Sequence, residues 1–128
     1  MVMRTWWLVD GMNVIGSRPD GWWRDRDRAM LGLVDLLERW AAADGEDVTV
    51  VFERPPRPPI RSTVITVAHA PKPRANSADD EIVRLVRADP APGAIRVVTS
   101  DHTLTTLVHA AGASVEGSGS FRARIEGD

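Results

Sequence analysis

Short apolar runs alternate with amphipathic stretches along this chain, and the alternation predicts its elements. Trp6-Trp7-Leu8-Val9 is apolar and stops at Asp10, so residues 5–10 read as a buried strand. Met30, Leu33, Val34, Leu37, Trp40 and Ala41 recur at three and four, which predicts a helix over 25–43. Asp25 and Asp27 stand in its first turn and Gly45 just past its end, where a helix favours an anion and a stop. Val48 to Phe52 is a nearly continuous apolar run, as in a strand covered on both faces. Thr63 to Ala68 reads as a third strand.

Ser77 opens a second helix, with Ala78, Ile82, Leu85 and Val86 as its buried face and Pro90 beyond its end. Ile95 to Val98 is a fourth strand. A third helix is predicted over Thr103 to Ala111, with Leu104, Leu107, Val108 and Ala111 inward. A short fifth strand covers Ala113 to Val115, and Phe121 with Ile125 suggests a last short helix. Strands alternating with helices imply an α/β fold on a mainly parallel sheet of about five strands. The pattern shows no internal repeat, so one domain over 1–128 is expected.

Composition narrows the chemistry. With 43% apolar residues in 128, a real core is expected. There is no cysteine, which excludes disulfides and thiolate metal sites. No apolar run approaches the roughly 20 residues of a membrane helix. No signal-peptide pattern opens the chain, so a cytoplasmic location is expected. The net charge of −2 carries no global nucleic-acid signal. Its distribution does more. From Arg54 to Ser77 there is no Asp or Glu, while Arg54, Arg57, Arg61, Lys72 and Arg74 are cationic. That segment is either a solvated loop and edge strand or a phosphate-binding lip. Arg54-Pro55-Pro56-Arg57-Pro58-Pro59 within it is a stiff extended loop, or else a proline-rich partner motif.

Open α/β sheets place their sites beyond the C-terminal strand ends, at the switch point of strand order. Asp10, Glu53 and Asp101 fall at such ends. If the first and fourth strands are neighbours, their ends lie about 4.8 Å apart, and Asp10 and Asp101 can share one cation. Ser77-Ala78-Asp79-Asp80 brings further carboxylates. With Ile82 at the centre of the buried face, Asp79 lies about 60° away and Asp80 about 160° away. Asp79 therefore faces the sheet. Asp80, three residues after Ser77, has the spacing of a capping box.

Clustered carboxylates repel one another and resist desolvation, and a divalent cation relieves both costs. Oxygen ligands suit Mg2+ or Mn2+ rather than zinc. The matching chemistry is metal-assisted attack of water on a phosphodiester. Each residue also has a plainer role. Asp10-Gly11 makes a turn, Asp101 caps the third helix, Asp79 suits a helix start, and Glu53 is solvated. Asn13 either bonds the turn backbone or holds Asp10 and a metal-bound water.

The order of these pieces resembles the NYN domain of the PIN-like nuclease superfamily, in its YacP-like branch. The matching residues are Val9-Asp10-Gly11-Met12-Asn13-Val14-Ile15, Val50-Val51-Phe52-Glu53, Ser77-Ala78-Asp79-Asp80-Glu81-Ile82, Val97-Val98-Thr99-Ser100-Asp101, and Gly112-Ala113 with Phe121. The resemblance implies a three-layer α/β/α fold and a Mg2+- or Mn2+-dependent ribonuclease acting on RNA. It places the catalytic Asp and amide of the first motif on Asp10 and Asn13, and the others on Asp79 and Asp101. Asp80 and Glu53 are second-tier metal ligands. Met12 replaces an aromatic residue common in the motif, and Glu53 stands where Asp-Gly is frequent. His102 has no assigned role.

Arg74, Lys72, Arg54 and Ser100 are the expected substrate contacts, from position and charge. Trp22-Trp23 would stack on unpaired bases if exposed, or cover the helix if buried. RNA specificity could come from a protein partner. The competing reading is a module that binds RNA or a partner without cutting. A haloacid-dehalogenase phosphatase is disfavoured, because Met12 occupies the place of its second Asp.

Overall fold

The computed structural model describes residues 4–127. Its strands are β1 (Trp6–Asp10), β2 (Asp47–Phe52), β3 (Thr66–His69), β4 (Ile95–Val98) and β5 (Ser114–Glu116). Its helices are α1 (Gly11–Ile15), α2 (Arg26–Asp44), α3 (Ser77–Ala88), α4 (His102–Ala110) and α5 (Ser118–Ile125). Every strand pair is parallel, in the order β3-β2-β1-β4-β5. The chain builds outward from β1 through β2 to β3, then returns to lay β4 on the other side of β1. The switch point is therefore between β1 and β4.

Strand periodicity sorts side chains into two cores. Trp7, Val9, Val48, Val50, Phe52 and Val98 pack with α1, α2 and α5. Leu8, Val51, Ile95 and Val97 pack with α3 and α4. The result is three layers, α/β/α. On the first face Trp7, Trp40 and Phe121 form an aromatic cluster, with ring centroids 5.3–5.5 Å apart. The parity has a consequence for β1. Asp10 shares the face of Leu8, so it points toward α3 and α4.

Helix α2 runs one residue later at each end than its sequence predicts, with Asp25 as the N-cap rather than in the first turn. Asp25 accepts from the Arg28 amide at 3.1 Å, and Gly45 takes the left-handed conformation at φ +67°.

Four expectations are corrected. The third strand begins at Thr66 rather than Thr63, because the Ser62 hydroxyl accepts from the amides of Val64 and Ile65 and holds a turn there. Residues 11–15, for which no element was expected, form a short helix. On α3, Val83 is buried and Leu85 only half-buried. Leu107 is 38% exposed on the outer face of α4. No helix among the described residues is long and apolar enough to cross a membrane.

Candidate active site

Asp10 is the buried centre of the C-terminal sheet edge. It sits at the β1 end, 5% exposed, and its Oδ2 accepts from Thr99 Oγ1 at 2.9 Å. Thr99 follows β4 and shares the parity of Ile95 and Val97, which aims it at Asp10. Burial pushes the Asp10 carboxyl from its ordinary 3.8 up to about 7. The Thr99 bond opposes that rise, and the charges of Asp79, Asp101 and Glu53 add to it.

Asp79 is half-buried in the first turn of α3. Its position depends on Ser77, whose hydroxyl lies 2.8 Å from the Arg74 carbonyl and 3.1 Å from the Glu53 carbonyl. That hydroxyl ties the start of α3 to the end of β2. The Asp79 carboxyl rises to about 6, chiefly through desolvation and then through Asp101, Asp80 and Glu53. Committed to those carbonyls, Ser77 makes no capping box with Asp80. Asn76 occupies the N-cap, and Asp80 turns outward to pair with Arg74 at 3.0 Å.

Asp101 caps α4, accepting from the Leu104 amide at 2.8 Å. That bond involves Oδ1. Among the described residues, no Lys, Arg or His pairs with Asp10, Glu53, Asp79 or Asp101. Nor do any three acidic or histidine side chains there form a ready ligand set for one ion. The carboxylates sense one another's charge without yet closing on a common point.

Among the described residues Asn13 bonds neither its own turn nor Asp10. Its Oδ1 accepts from the Ser100 amide at 2.9 Å and the Ser118 hydroxyl at 2.5 Å. The Ser118 amide in turn donates to Ser100 Oγ at 2.8 Å. This network ties α1, the β4 end and the start of α5 together around the site. Ser100 thus serves as a strut. Gly11 is required by close approach, since a Cβ there would meet the Phe52 ring at 2.5 and 2.6 Å.

The basic candidates lie beside Glu53 and the start of α3. Arg54 pairs with Asp27 at 2.8 Å, and Lys72 is exposed. Arg54 and Arg74 line a cleft of about 300 Å³ together with Glu53, Met12, Met30 and Arg26. Trp22 is half-buried against the first core, with the Arg26 guanidinium 5.0 Å from its ring centroid. Trp23 is 50% exposed.

Thr99, Ser118 and Arg26 were not singled out from sequence. Only Thr99 carried a usable signal, its parity on β4. Ser118 and Arg26 reach the site from distant segments.

Solved structures share this arrangement of elements. The crystal structure of Rae1 (YacP) from Bacillus subtilis superposes with a TM-score of 0.76 and 25% identity, covering 94% of this chain and 73% of that one. A mutant of the same protein gives 0.73 and 25%, covering 95% and 75%. No curated protein matches the chain. The model of the YacP-like NYN domain matches residues 7–127. The chain belongs to the YacP-like NYN domain family.

Proposed function

We propose that the chain is a Mg2+- or Mn2+-dependent endoribonuclease whose metal is held by Asp10, Asp79 and Asp101. The supporting observation is that Asp10, Glu53, Asp79 and Asp101 share one sheet edge and sense one another's charge, with no cationic partner among the described residues. Burying Asp10 without a counter-charge raises its carboxyl to about 7. A divalent cation is the group that fits this deficit, and the donors are all oxygen. Family membership points the same way, since PIN-like nuclease domains generally use divalent metals and the YacP-like ones act on RNA.

When bound, such an ion supplies Lewis-acid stabilisation of a phosphodiester and a reactive water. The chain's own residues supply the placement. Thr99 fixes one oxygen of Asp10 and leaves the other free. Asp101 keeps Oδ2 free while Oδ1 caps α4. Ser77 sets Asp79 beside Glu53, which is a secondary ligand, whereas Asp80 faces outward with Arg74 and has the weaker claim. Asn13, locked through Ser100 and Ser118, holds α1 under the site and keeps its amide nitrogen free to donate.

The test is cleavage of RNA with Mg2+ or Mn2+, comparing wild type with Asp10→Asn and Asp101→Asn. Loss of cleavage in both variants is expected. Unchanged activity in both contradicts the assignment. The alternative, an RNA-binding module without chemistry, draws on the open spacing of the carboxylates. Saturable RNA binding with no cleavage in either metal would favour it.

A further inference from the structure

The cleft beside Glu53 has a composition that the carboxylate centre does not explain. Its volume is about 300 Å³, at the small end of ligand pockets. Half-buried Met12 gives it an apolar, polarisable wall with buried Met30 behind it, and Arg26, Arg54 and Arg74 line it. Arg54 is pinned by Asp27, and Arg74 is paired with Asp80. Arg26 differs. It is exposed, its guanidinium lies over Trp22, and no carboxylate pairs with it among the described residues. The cleft therefore offers a soft apolar surface, one free cation and two tethered ones. Glu53 joins it to the sheet edge.

We infer that this cleft seats one unpaired nucleotide of the RNA, with the base against Met12 and a backbone phosphate at Arg26. The inference rests on the reading of the chain as an RNA-acting enzyme. Thioethers pack well against aromatic rings. Free guanidinium groups recognise phosphate in a fixed fork. A base held in a duplex stacks on its neighbours and cannot turn into a cleft, so the subsite selects single strands.

The experiment is fluorescence anisotropy in EDTA at low salt, with a fluorescein-labelled single-stranded oligoribonucleotide and a blunt duplex of the same length. Wild type, Arg26→Ala and Met12→Ala are compared, with circular dichroism confirming that each is folded. Neither side chain is buried, so both variants should fold. Each substitution is expected to weaken single-strand binding about five- to tenfold. Arg26→Ala should also reduce the salt slope by about 0.7, and Met12→Ala should leave that slope unchanged. Duplex binding should be weaker and insensitive to Met12→Ala.

Wild-type affinity in both variants, no single-strand binding by wild type, or equal losses on duplex would overturn the subsite. The measurement is independent of cleavage. A protein that binds through Arg26 and Met12 but cuts nothing keeps the subsite and loses the nuclease. One that cuts RNA yet ignores both substitutions loses the subsite alone.

Discussion

Replacing Asp10 with Asn should stabilise the metal-free protein, and by an amount that depends on pH. The Asp10 carboxyl stands at about 7 in the folded chain against an ordinary 3.8. The folded state therefore holds this proton more tightly than the unfolded state does. Its stabilising contribution is complete below about pH 3.8 and is lost as pH rises through about 7. A difference of about 3 pKa units corresponds to about 4 kcal/mol. That is the upper bound on what ionised, buried Asp10 costs at pH 8. Asn has nearly the same shape, retains an oxygen for Thr99, and carries no charge to desolvate.

Urea unfolding in EDTA, followed by tryptophan fluorescence, measures the effect at pH 4.5 and at pH 8. The advantage of Asp10→Asn over wild type should grow by about 2–4 kcal/mol between these values. With an m-value of about 2 kcal/mol/M, the midpoint difference widens by about 1–2 M. Groups that do not interact with Asp10 cancel in this comparison, and the coupled Asp79, Asp101 and Glu53 account for the width of the expected range. A stability difference that is the same at both pH values would refute the reasoning, because Asp10 would then ionise as freely folded as unfolded.

Other substitutions separate structure from chemistry. Asp101→Ala removes the α4 cap and should cost about 1 kcal/mol in chemical denaturation, whereas Asp101→Asn keeps the cap and the stability; the proposed cleavage should vanish in both. Gly11→Ala drives a methyl group into the fully buried Phe52 ring and should cost about 1–3 kcal/mol, with Phe52→Leu in the same chain recovering part of the loss. In Asp27, one carboxylate oxygen accepts from both Arg54 Nη1 and the Arg57 amide, and these bonds hold the Asp27 carboxyl below its ordinary value. Asp27→Ala should speed hydrogen exchange at the Arg57 amide and proteolysis within the proline-rich loop, while protection in the sheet stays as in wild type.

The sheet was legible because β1, β2 and β4 are covered on both faces and their sequences are mostly apolar. The start of α2 was equally plain, since its cap and first-turn acids are local. The elements that were misread are governed by partners distant in sequence or by competing local bonds. Ser62 diverts the amides before β3, and Ser77 spends its hydroxyl on carbonyls, one of them 24 residues away. At the site, strand ends and a helix wheel nominate the carboxylates. The Asn13, Ser100 and Ser118 network joins residues up to 105 positions apart and has no periodic signature. Spacing alone likewise does not reveal that Asp101 caps α4 through Oδ1 only.

Asp10, Asp79 and Asp101 are proposed to hold one divalent cation at the β1–β4 switch point. A crystal soaked in Mn2+ and measured for anomalous scattering tests it most directly. A peak is expected at the C-terminal edge of the sheet, with oxygens of all three aspartates as ligands and loss of the peak in Asp10→Asn. A manganese ion bound elsewhere, or a carboxylate edge without a peak at saturating Mn2+, would contradict it.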